Sequence, residues 1–177
     1  MNIPNVLTAV RFIITPVFGY CLGTGQYILA LILFSLGGIT DVLDGYIARK
    51  YNLITSFGKL ADPLADKLMQ LTALVVLSIQ GVIPTVFLII ILAKESFMGL
   101  GSLTLYKKEN IVVSANWYGK LSTVIFYFVI VTAIILEQLD LPFSRDFTDI
   151  AAGIAVAFAV FAFVMYSMEY RKMRAEN

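Results

Sequence analysis

The chain alternates long apolar stretches with short polar breaks, a pattern typical of helices that cross a bilayer. We expect an all-α integral membrane protein with six transmembrane helices. A short interfacial helix within Met1–Arg11, started by Pro4, is expected to precede them. The first predicted membrane helix covers about Phe12–Leu22 and is extended backward by the preceding turn or two. The others cover Tyr27 to the acidic motif described below, a third segment that ends at Ile79, Pro84–Tyr106, Leu121–Leu136 and Phe147–Tyr166.

The start of the third helix is open to two interpretations. A polar hinge at Lys50–Phe57 contains residues that favour turns and helix caps. Pro63 directly follows Asp62, so Asp62 could cap the helix with Pro63 at its first position. Alternatively, the helix begins near Ser56 and kinks at the proline.

The composition is that of a polytopic membrane protein. Of 177 residues 59% are hydrophobic and 14% charged, and the mean hydropathy is +0.86. The net charge of +1 gives no bulk attraction to nucleic acid. Because no repeat or long polar linker divides the chain, we expect residues 1–177 to form a single membrane domain.

The distribution of basic residues predicts the orientation in the membrane. Six crossings place both termini on one side, and nearly all basic residues of the loops and ends lie there. By the positive-inside rule that side is cytoplasmic, in a bacterial-type cytoplasmic membrane. The residues counted on it are Arg11, Arg49, Lys50, Lys59, Lys67, Lys107, Lys108, Lys120, Arg171, Lys172 and Arg174, against Arg145 opposite.

Four aspartates at helical spacings are the candidate chemistry. Asp41 and Asp44 are three residues apart and Asp62 and Asp66 four apart, so each pair lies on one helix face. Carboxylates this close repel one another and are costly to desolvate, and divalent cations relieve both problems. Hard oxygen ligands in a chain without histidine suit Mg²⁺ or Mn²⁺.

The spacing resembles the signature of the CDP-alcohol phosphatidyltransferases, with every fixed position filled. The matching residues are Asp41-x-x-Asp44-Gly45-x-x-Ala48-Arg49, then eight residues, then Gly58-x-x-x-Asp62-x-x-x-Asp66. Further segments are similar to bacterial members that use glycerol 3-phosphate as acceptor. These segments are Asn2-Ile3-Pro4-Asn5-x-Leu7-Thr8-x-x-Arg11, Ala61–Lys67 and Trp117-Tyr118-Gly119-Lys120.

The resemblance implies transfer of a phosphatidyl group from CDP-diacylglycerol to an alcohol, with release of CMP. The positive-inside rule places the aspartates on the cytosolic side of the membrane. The resemblance also implies two Mg²⁺ or Mn²⁺ ions held by the four aspartates, with Asp66 also accepting the proton of the attacking hydroxyl. It further implies a homodimer. The residues assigned to CDP binding are Asn5, Thr8, Asp44, Gly45, Ala48, Arg49 and Gly58.

The acceptor site departs from the resembled pattern. Lys94 and Lys120 are the candidate ligands for the acceptor, with Lys94-Glu95 where the family tends to have Arg-Glu. Ser102 and Ser122 stand where further basic residues are expected. Glycerol 3-phosphate is the expected acceptor, and phosphatidylglycerol, as in a cardiolipin synthase, is the alternative. Lys94 and Glu95 are expected to face a cavity shared with the aspartates, or else to pair as a structural ion pair.

Two other functional classes stay open on the residues alone. Carboxylates on two membrane helices could belong to a divalent-cation transporter, with Lys94 and Glu95 as a gate. A transporter would need polar residues along a path to the far side, and the remaining helices offer almost none. A structural subunit of a membrane complex would leave the spacing of the aspartates unexplained.

Overall fold

The structure, a computed structural model, describes residues 3–51, 55–109, 117–141 and 144–175. These residues form an all-α fold, as expected. Six helices occupy the described ranges in the order α1 Ile3–Gly23, α2 Tyr27–Lys50, α3 Ser56–Ile79, α4 Thr85–Glu109, α5 Trp117–Leu139 and α6 Ser144–Ala175. The long connection expected between the fourth and fifth helices is shorter, because α4 continues to Glu109 and α5 already begins at Trp117.

The short interfacial helix expected before the first membrane helix is not a separate element. One continuous helix, α1, runs from Ile3 to Gly23 and includes Pro4 in its first turn, where proline lacks no required hydrogen bond. The polar residues that suggested an interfacial segment point inward instead, since Thr8 and Arg11 are both fully buried. Arg11 is therefore not one of the solvated loop charges with which it was counted.

The two interpretations of the third helix are resolved in favour of the earlier start. Thr55 is the N-cap residue, with extended backbone angles, and its hydroxyl accepts a hydrogen bond from the backbone N–H of Gly58 at 2.9 Å. Pro63 consequently lies inside α3. Asp62 is thus a helical residue whose side chain is not needed as a cap.

Close helix contacts bring α1, α2 and α3 together around the acidic residues. Helix α1 packs against α2 and α3, while α5 packs against α2 and α6, and α4 against α3 and α6. A Cβ added to Gly19 of α1 would lie 2.7 Å from the Cγ2 of Thr72, and one added to Gly37 of α2 would collide with the sulfur of Met69. These glycines allow α3 to approach both neighbouring helices closely.

The outer surface is apolar, as a lipid environment requires. Four helices are long and apolar enough to cross a membrane, by length and composition: Pro4–Gly23, Tyr27–Ala48, Trp117–Leu139 and Arg145–Met168. Large apolar side chains are exposed along them, including Ile13, Val42, Phe128 and Ile150. These helices indicate a multi-pass membrane protein, and the count of six crossings and the orientation of the termini stay predictions.

Candidate active site

Asp41 and Asp44, both on α2, share one partner, Arg11 of α1. The Nη1 of Arg11 lies 2.7 Å from the Oδ1 of Asp41, and its Nη2 lies 2.5 Å from the Oδ2 of Asp44. Arg11 is fully buried and Asp44 is 2% exposed, whereas the side chain of Asp41 is 39% exposed. Since Asp41 and Asp44 are one helical turn apart, a single planar guanidinium can contact both carboxylates.

Asp62 of α3 is held by the same helix that holds the α2 pair. The buried hydroxyl of Thr8, one turn before Arg11 on α1, hydrogen-bonds to the Oδ1 of Asp62. The Thr8 hydroxyl also lies 3.1 Å from the carbonyl oxygen of Pro4. Successive turns of α1 therefore contact acidic residues of both α2 and α3, which brings the two halves of the acidic motif to one place.

Asp66, one turn further along α3, faces α5. The hydroxyl of Tyr127 donates a hydrogen bond to the Oδ1 of Asp66 at 2.5 Å, and the Nε2 of Gln70 lies 3.3 Å from its Oδ2. The Tyr127 ring is fixed in turn by Phe34 of α2, with ring centroids 4.9 Å apart. Asp66 thus has a different environment from the other three aspartates, as a separate chemical role would require.

Gly58 is buried where the N-terminus of α3 meets α1. A Cβ at this position would lie 3.1 Å from the Oγ1 of Thr55, 3.2 Å from the Oδ1 of Asn5 and 3.5 Å from the Oδ2 of Asp62. The Thr55 hydroxyl also donates a hydrogen bond to the Oδ1 of Asn5, at 3.0 Å. Asn5, Gly58 and Asp62, three residues predicted to belong to the site, are therefore neighbours.

The charged pair of α4 is engaged with α3. Glu95 forms ion pairs with Lys67 of α3 and with Lys94, whose Nζ lies 2.7 Å from the Oε1 of Glu95. The side chain of Lys94 is 10% exposed and that of Lys67 is 44% exposed. Lys94 and Glu95 thus form the ion pair that was the alternative expectation, and the cavity shared with the aspartates stays a prediction. Lys67 follows Asp66 directly, so the ion-pair network adjoins the acidic residues.

The structure describes fewer contacts for the remaining predicted site residues. Gly45 and Ala48 are partly buried in the last two turns of α2, on the helix that carries Asp41 and Asp44. The side chains of Arg49 and Lys120 lie outside the described part of the structure, although their backbones belong to α2 and α5. Ser122 is buried, and its hydroxyl has no hydrogen-bond partner among the described residues.

The donor set fits a hard divalent cation by its chemistry. Carboxylate oxygens are the preferred ligands of Mg²⁺ and Mn²⁺, and the chain has no histidine. Over the described ranges, no three Asp, Glu, His or Cys side chains gather into a group that could hold a metal. Each of the four aspartates is instead turned toward a donor on another helix: Arg11 for Asp41 and Asp44, Thr8 for Asp62 and Tyr127 for Asp66.

Sequence reasoning did not assign three of the residues that contact the candidate site. Arg11 had a usable signal, because an arginine within an apolar helix is rarely placed there without a partner. Lys67 lies beside Asp66 in sequence, but its pairing with Glu95 depends on how α3 and α4 pack. Tyr127 is one of nine tyrosines and had no signal of its own.

Known proteins match the chain over most of its length. The profile of the CDP-alcohol phosphatidyltransferase family matches residues 1–165. A CDP-diacylglycerol–glycerol-3-phosphate 3-phosphatidyltransferase of Bacillus subtilis is 33% identical, over 99% of each chain. A probable phosphatidylglycerophosphate synthase of Mycobacterium tuberculosis is 34% identical, over 96% of this chain and 79% of its own. An Aquifex aeolicus protein with the same name as the Bacillus relative is 29% identical, over 98% of each chain.

Proposed function

The chain belongs to the CDP-alcohol phosphatidyltransferase family, and from that membership we propose that it transfers a phosphatidyl group from CDP-diacylglycerol to glycerol 3-phosphate. The products are phosphatidylglycerophosphate and CMP. The names of the Bacillus, Mycobacterium and Aquifex relatives support this choice of acceptor. A cation transporter or a purely structural subunit would not account for the family membership.

The observation that carries the proposal is the meeting of both acidic helices on α1. Arg11 contacts Asp41 and Asp44, and Thr8 contacts Asp62, from adjacent turns of the same helix. Three of the four aspartates, from both α2 and α3, are thereby turned toward α1, and Asp66 lies one turn beyond Asp62 on α3. Carboxylates contributed by two neighbouring helices are what a cation-dependent site for a pyrophosphate needs, and this supports the proposal.

Separate residues are proposed to bind the cations, to bind the nucleotide and to accept the proton. Asp41, Asp44, Asp62 and Asp66 would hold two Mg²⁺ or Mn²⁺ ions, which when bound would supply the positive charge that offsets the pyrophosphate. Members of the family generally depend on divalent cations. The CDP group is bound at the surface that Gly58 and Asn5 share, together with Thr8, Gly45, Ala48 and Arg49.

Asp66 acts as the general base. As the acceptor oxygen forms its bond to the phosphorus of the phosphatidyl group, its proton passes to Asp66, and the phosphorus–oxygen bond to CMP breaks. The hydrogen bond from Tyr127 fixes the orientation of the Asp66 carboxylate. The proposed base is thus supported by a residue from α5, a helix that carries none of the four aspartates.

The phosphate of the acceptor is bound by lysines. Lys94 and Lys120 are the proposed ligands, and Lys67 adds an ammonium group that shares Glu95 with Lys94. Glu95 neutralises part of this charge, and Ser122 contributes none. Lysines bind phosphate as point charges, without the paired hydrogen bonds of a guanidinium, so modest affinity for glycerol 3-phosphate is expected.

The pairing of Lys94 with Glu95 is the observation that favours a second acceptor. If Glu95 keeps Lys94 occupied, an alcohol without a phosphomonoester, such as phosphatidylglycerol, becomes the better substrate. CMP release by purified protein, measured with each acceptor in turn, distinguishes the two. Glycerol 3-phosphate should be the faster, and Lys94→Met or Lys120→Met should raise its KM about tenfold or more without changing KM for CDP-diacylglycerol. Faster CMP release with phosphatidylglycerol, unaffected by Lys120→Met, would establish the second acceptor.

The surroundings of the site are part of the proposal. Both termini and the aspartates face the cytosol, where glycerol 3-phosphate and CMP are soluble, and the protein lies in the cytoplasmic membrane as a single domain. No nucleic acid is expected as a partner, given the net charge of +1. The homodimer expected from the family resemblance stays a prediction.

A further inference from the structure

Arg11 is fully buried, whereas a side chain that only bound the nucleotide or the acceptor would have to be reachable by it. Its side chain is fully buried within apolar helix α1, and its Nε has no hydrogen-bond partner among the described residues. Removing a guanidinium from water is costly, and a packing role is better filled by an apolar side chain. The contacts that offset this cost are those with Asp41 and Asp44, so the function of Arg11 must lie there.

Arg11 contacts only one oxygen of the Asp41 carboxylate and one oxygen of the Asp44 carboxylate. Arg11 uses the Oδ1 of Asp41 and the Oδ2 of Asp44. The other oxygen of each carboxylate has no hydrogen-bond donor among the described residues. Because the guanidinium is planar and rigid, its two contacts fix the rotation of both carboxyl groups at once.

The charge balance also favours an orienting role. Asp41 and Asp44 are one turn apart and repel each other, which would drive unrestrained carboxylates apart. One guanidinium neutralises only one of the two negative charges. The cluster retains a net negative charge that still attracts a cation, with its two oxygens already oriented.

We propose that Arg11 is a positioning residue for the divalent-cation site, holding Asp41 and Asp44 by one oxygen each and leaving the second oxygen of each to the cation. This inference rests on the proposed function, which assigns a cation to these aspartates. Donors that orient metal-binding carboxylates typically contribute about 10- to 100-fold to metal affinity. The opposing possibility is that the guanidinium occupies the place of the cation, in which case its removal would strengthen metal binding.

Direct Mn²⁺ binding to the purified full-length protein, followed by the electron paramagnetic resonance signal of free Mn²⁺, separates these possibilities without any turnover. Arg11→Lys keeps the charge but loses the planar fork, so it should weaken Mn²⁺ binding about tenfold or more. Arg145→Gln, which removes an exposed arginine at the start of α6, is the matched control and should bind as the unaltered protein does. Activity lost in Arg11→Lys should return at higher Mn²⁺ concentration, which a general folding defect would not allow.

Mn²⁺ binding by Arg11→Lys, by Asp41→Asn and by the unaltered protein tests different parts of the proposal. Unchanged or tighter Mn²⁺ binding in Arg11→Lys overturns the positioning role, while the cation site itself stands if Asp41→Asn abolishes binding. If the unaltered protein binds no Mn²⁺, the proposed cation site and the role of Arg11 are both wrong.

A second measurement needs no variant of Arg11, so it tests the positioning role even if Arg11→Lys does not fold. Protein labelled with ¹⁵N-arginine is titrated with Mg²⁺, and the Arg11 guanidinium signals are assigned by substituting the other arginines, Arg49, Arg145, Arg171 and Arg174, one at a time. Guanidinium signals that stay in slow exchange at saturating Mg²⁺ support the proposal. Their loss on addition of Mg²⁺ means that the ion displaces the guanidinium, and it overturns the proposal.

Discussion

Substituting Gly58 by alanine tests whether the meeting point of α1 and α3 forms the nucleotide-binding surface. The added Cβ would lie 3.1 Å from the Oγ1 of Thr55 and 3.2 Å from the Oδ1 of Asn5. Both distances are tighter than ordinary carbon–oxygen contacts, so each oxygen must move by a few tenths of an ångström. The two hydrogen bonds of the Thr55 hydroxyl, at 2.9 Å to the N–H of Gly58 and 3.0 Å to Asn5, would be strained together.

The expected loss of stability is small and the expected loss of substrate affinity is larger. Weakening an N-cap costs roughly 0.5 to 2 kcal/mol, and a second hydrogen bond is worth about 1 kcal/mol. Replacing glycine by alanine within a helix returns about 0.5 to 1 kcal/mol, which leaves a net destabilisation of about 1 kcal/mol. If Gly58 and Asn5 also contact CDP, the loss of one contact worth about 1.5 kcal/mol raises KM for CDP-diacylglycerol roughly tenfold.

The assay compares Gly58→Ala with Gly153→Ala. A Cβ at Gly153, on α6, would lie 3.9 Å from the Cζ of Phe87, an ordinary van der Waals distance. KM for CDP-diacylglycerol, KM for glycerol 3-phosphate and thermal unfolding in detergent are measured for both variants. Gly58→Ala should raise only the first KM substantially, and Gly153→Ala should change none of the three. An unaltered KM for CDP-diacylglycerol in Gly58→Ala would refute the placement of the nucleotide at this surface.

Three further predictions concern the proposed base Asp66, its hydrogen-bond partner Tyr127 and the orientation of the protein in the membrane. Asp66→Asn should lower kcat on the order of a hundredfold while retaining much of the Mn²⁺ affinity that Asp41→Asn loses, and equal loss of affinity in both variants would contradict separate roles. Tyr127→Phe should lower kcat about tenfold with little change in KM for CDP-diacylglycerol, because it removes a hydrogen bond to the base alone; a changed KM with constant kcat would argue against it. A cysteine introduced at Asp140 should react with an impermeant reagent in intact cells while one at Asn177 stays protected, and the reverse pattern would place the site outside the cell.

The order of the helices could be predicted because short breaks separate the apolar stretches, and two of these breaks contain a glycine with a positive φ angle. Gly25 and Gly81 have backbone φ angles of 75° and 71°, and both lie in the turns expected from sequence. The start of α1 was mispredicted for a physical reason. Thr8 and Arg11 resemble interfacial residues by composition, but they are buried because their partners lie on other helices. Hydropathy alone cannot distinguish a polar group that faces water from one with a buried partner.

The acidic residues could be identified from spacing, but the donors that orient them could not. Helical periodicity places Asp41 with Asp44, because residues three apart in a helix lie on the same face. Arg11 is 30 residues from Asp41, and Tyr127 is 61 residues from Asp66, so both pairings depend on how the helices pack. The departure of Lys94 from an arginine was visible in sequence, whereas its pairing with Glu95 in a network with Lys67 required the structure.

Incorporation of labelled glycerol 3-phosphate into lipid tests the central claim most directly. Purified protein is incubated with CDP-diacylglycerol, Mg²⁺ and ¹⁴C-glycerol 3-phosphate, and chloroform-extractable label is compared with the CMP released. We expect equal amounts of labelled phosphatidylglycerophosphate and CMP, with neither formed in the presence of EDTA or by Asp62→Asn. Release of CMP without labelled lipid, or labelled lipid formed equally well by Asp62→Asn, would contradict it.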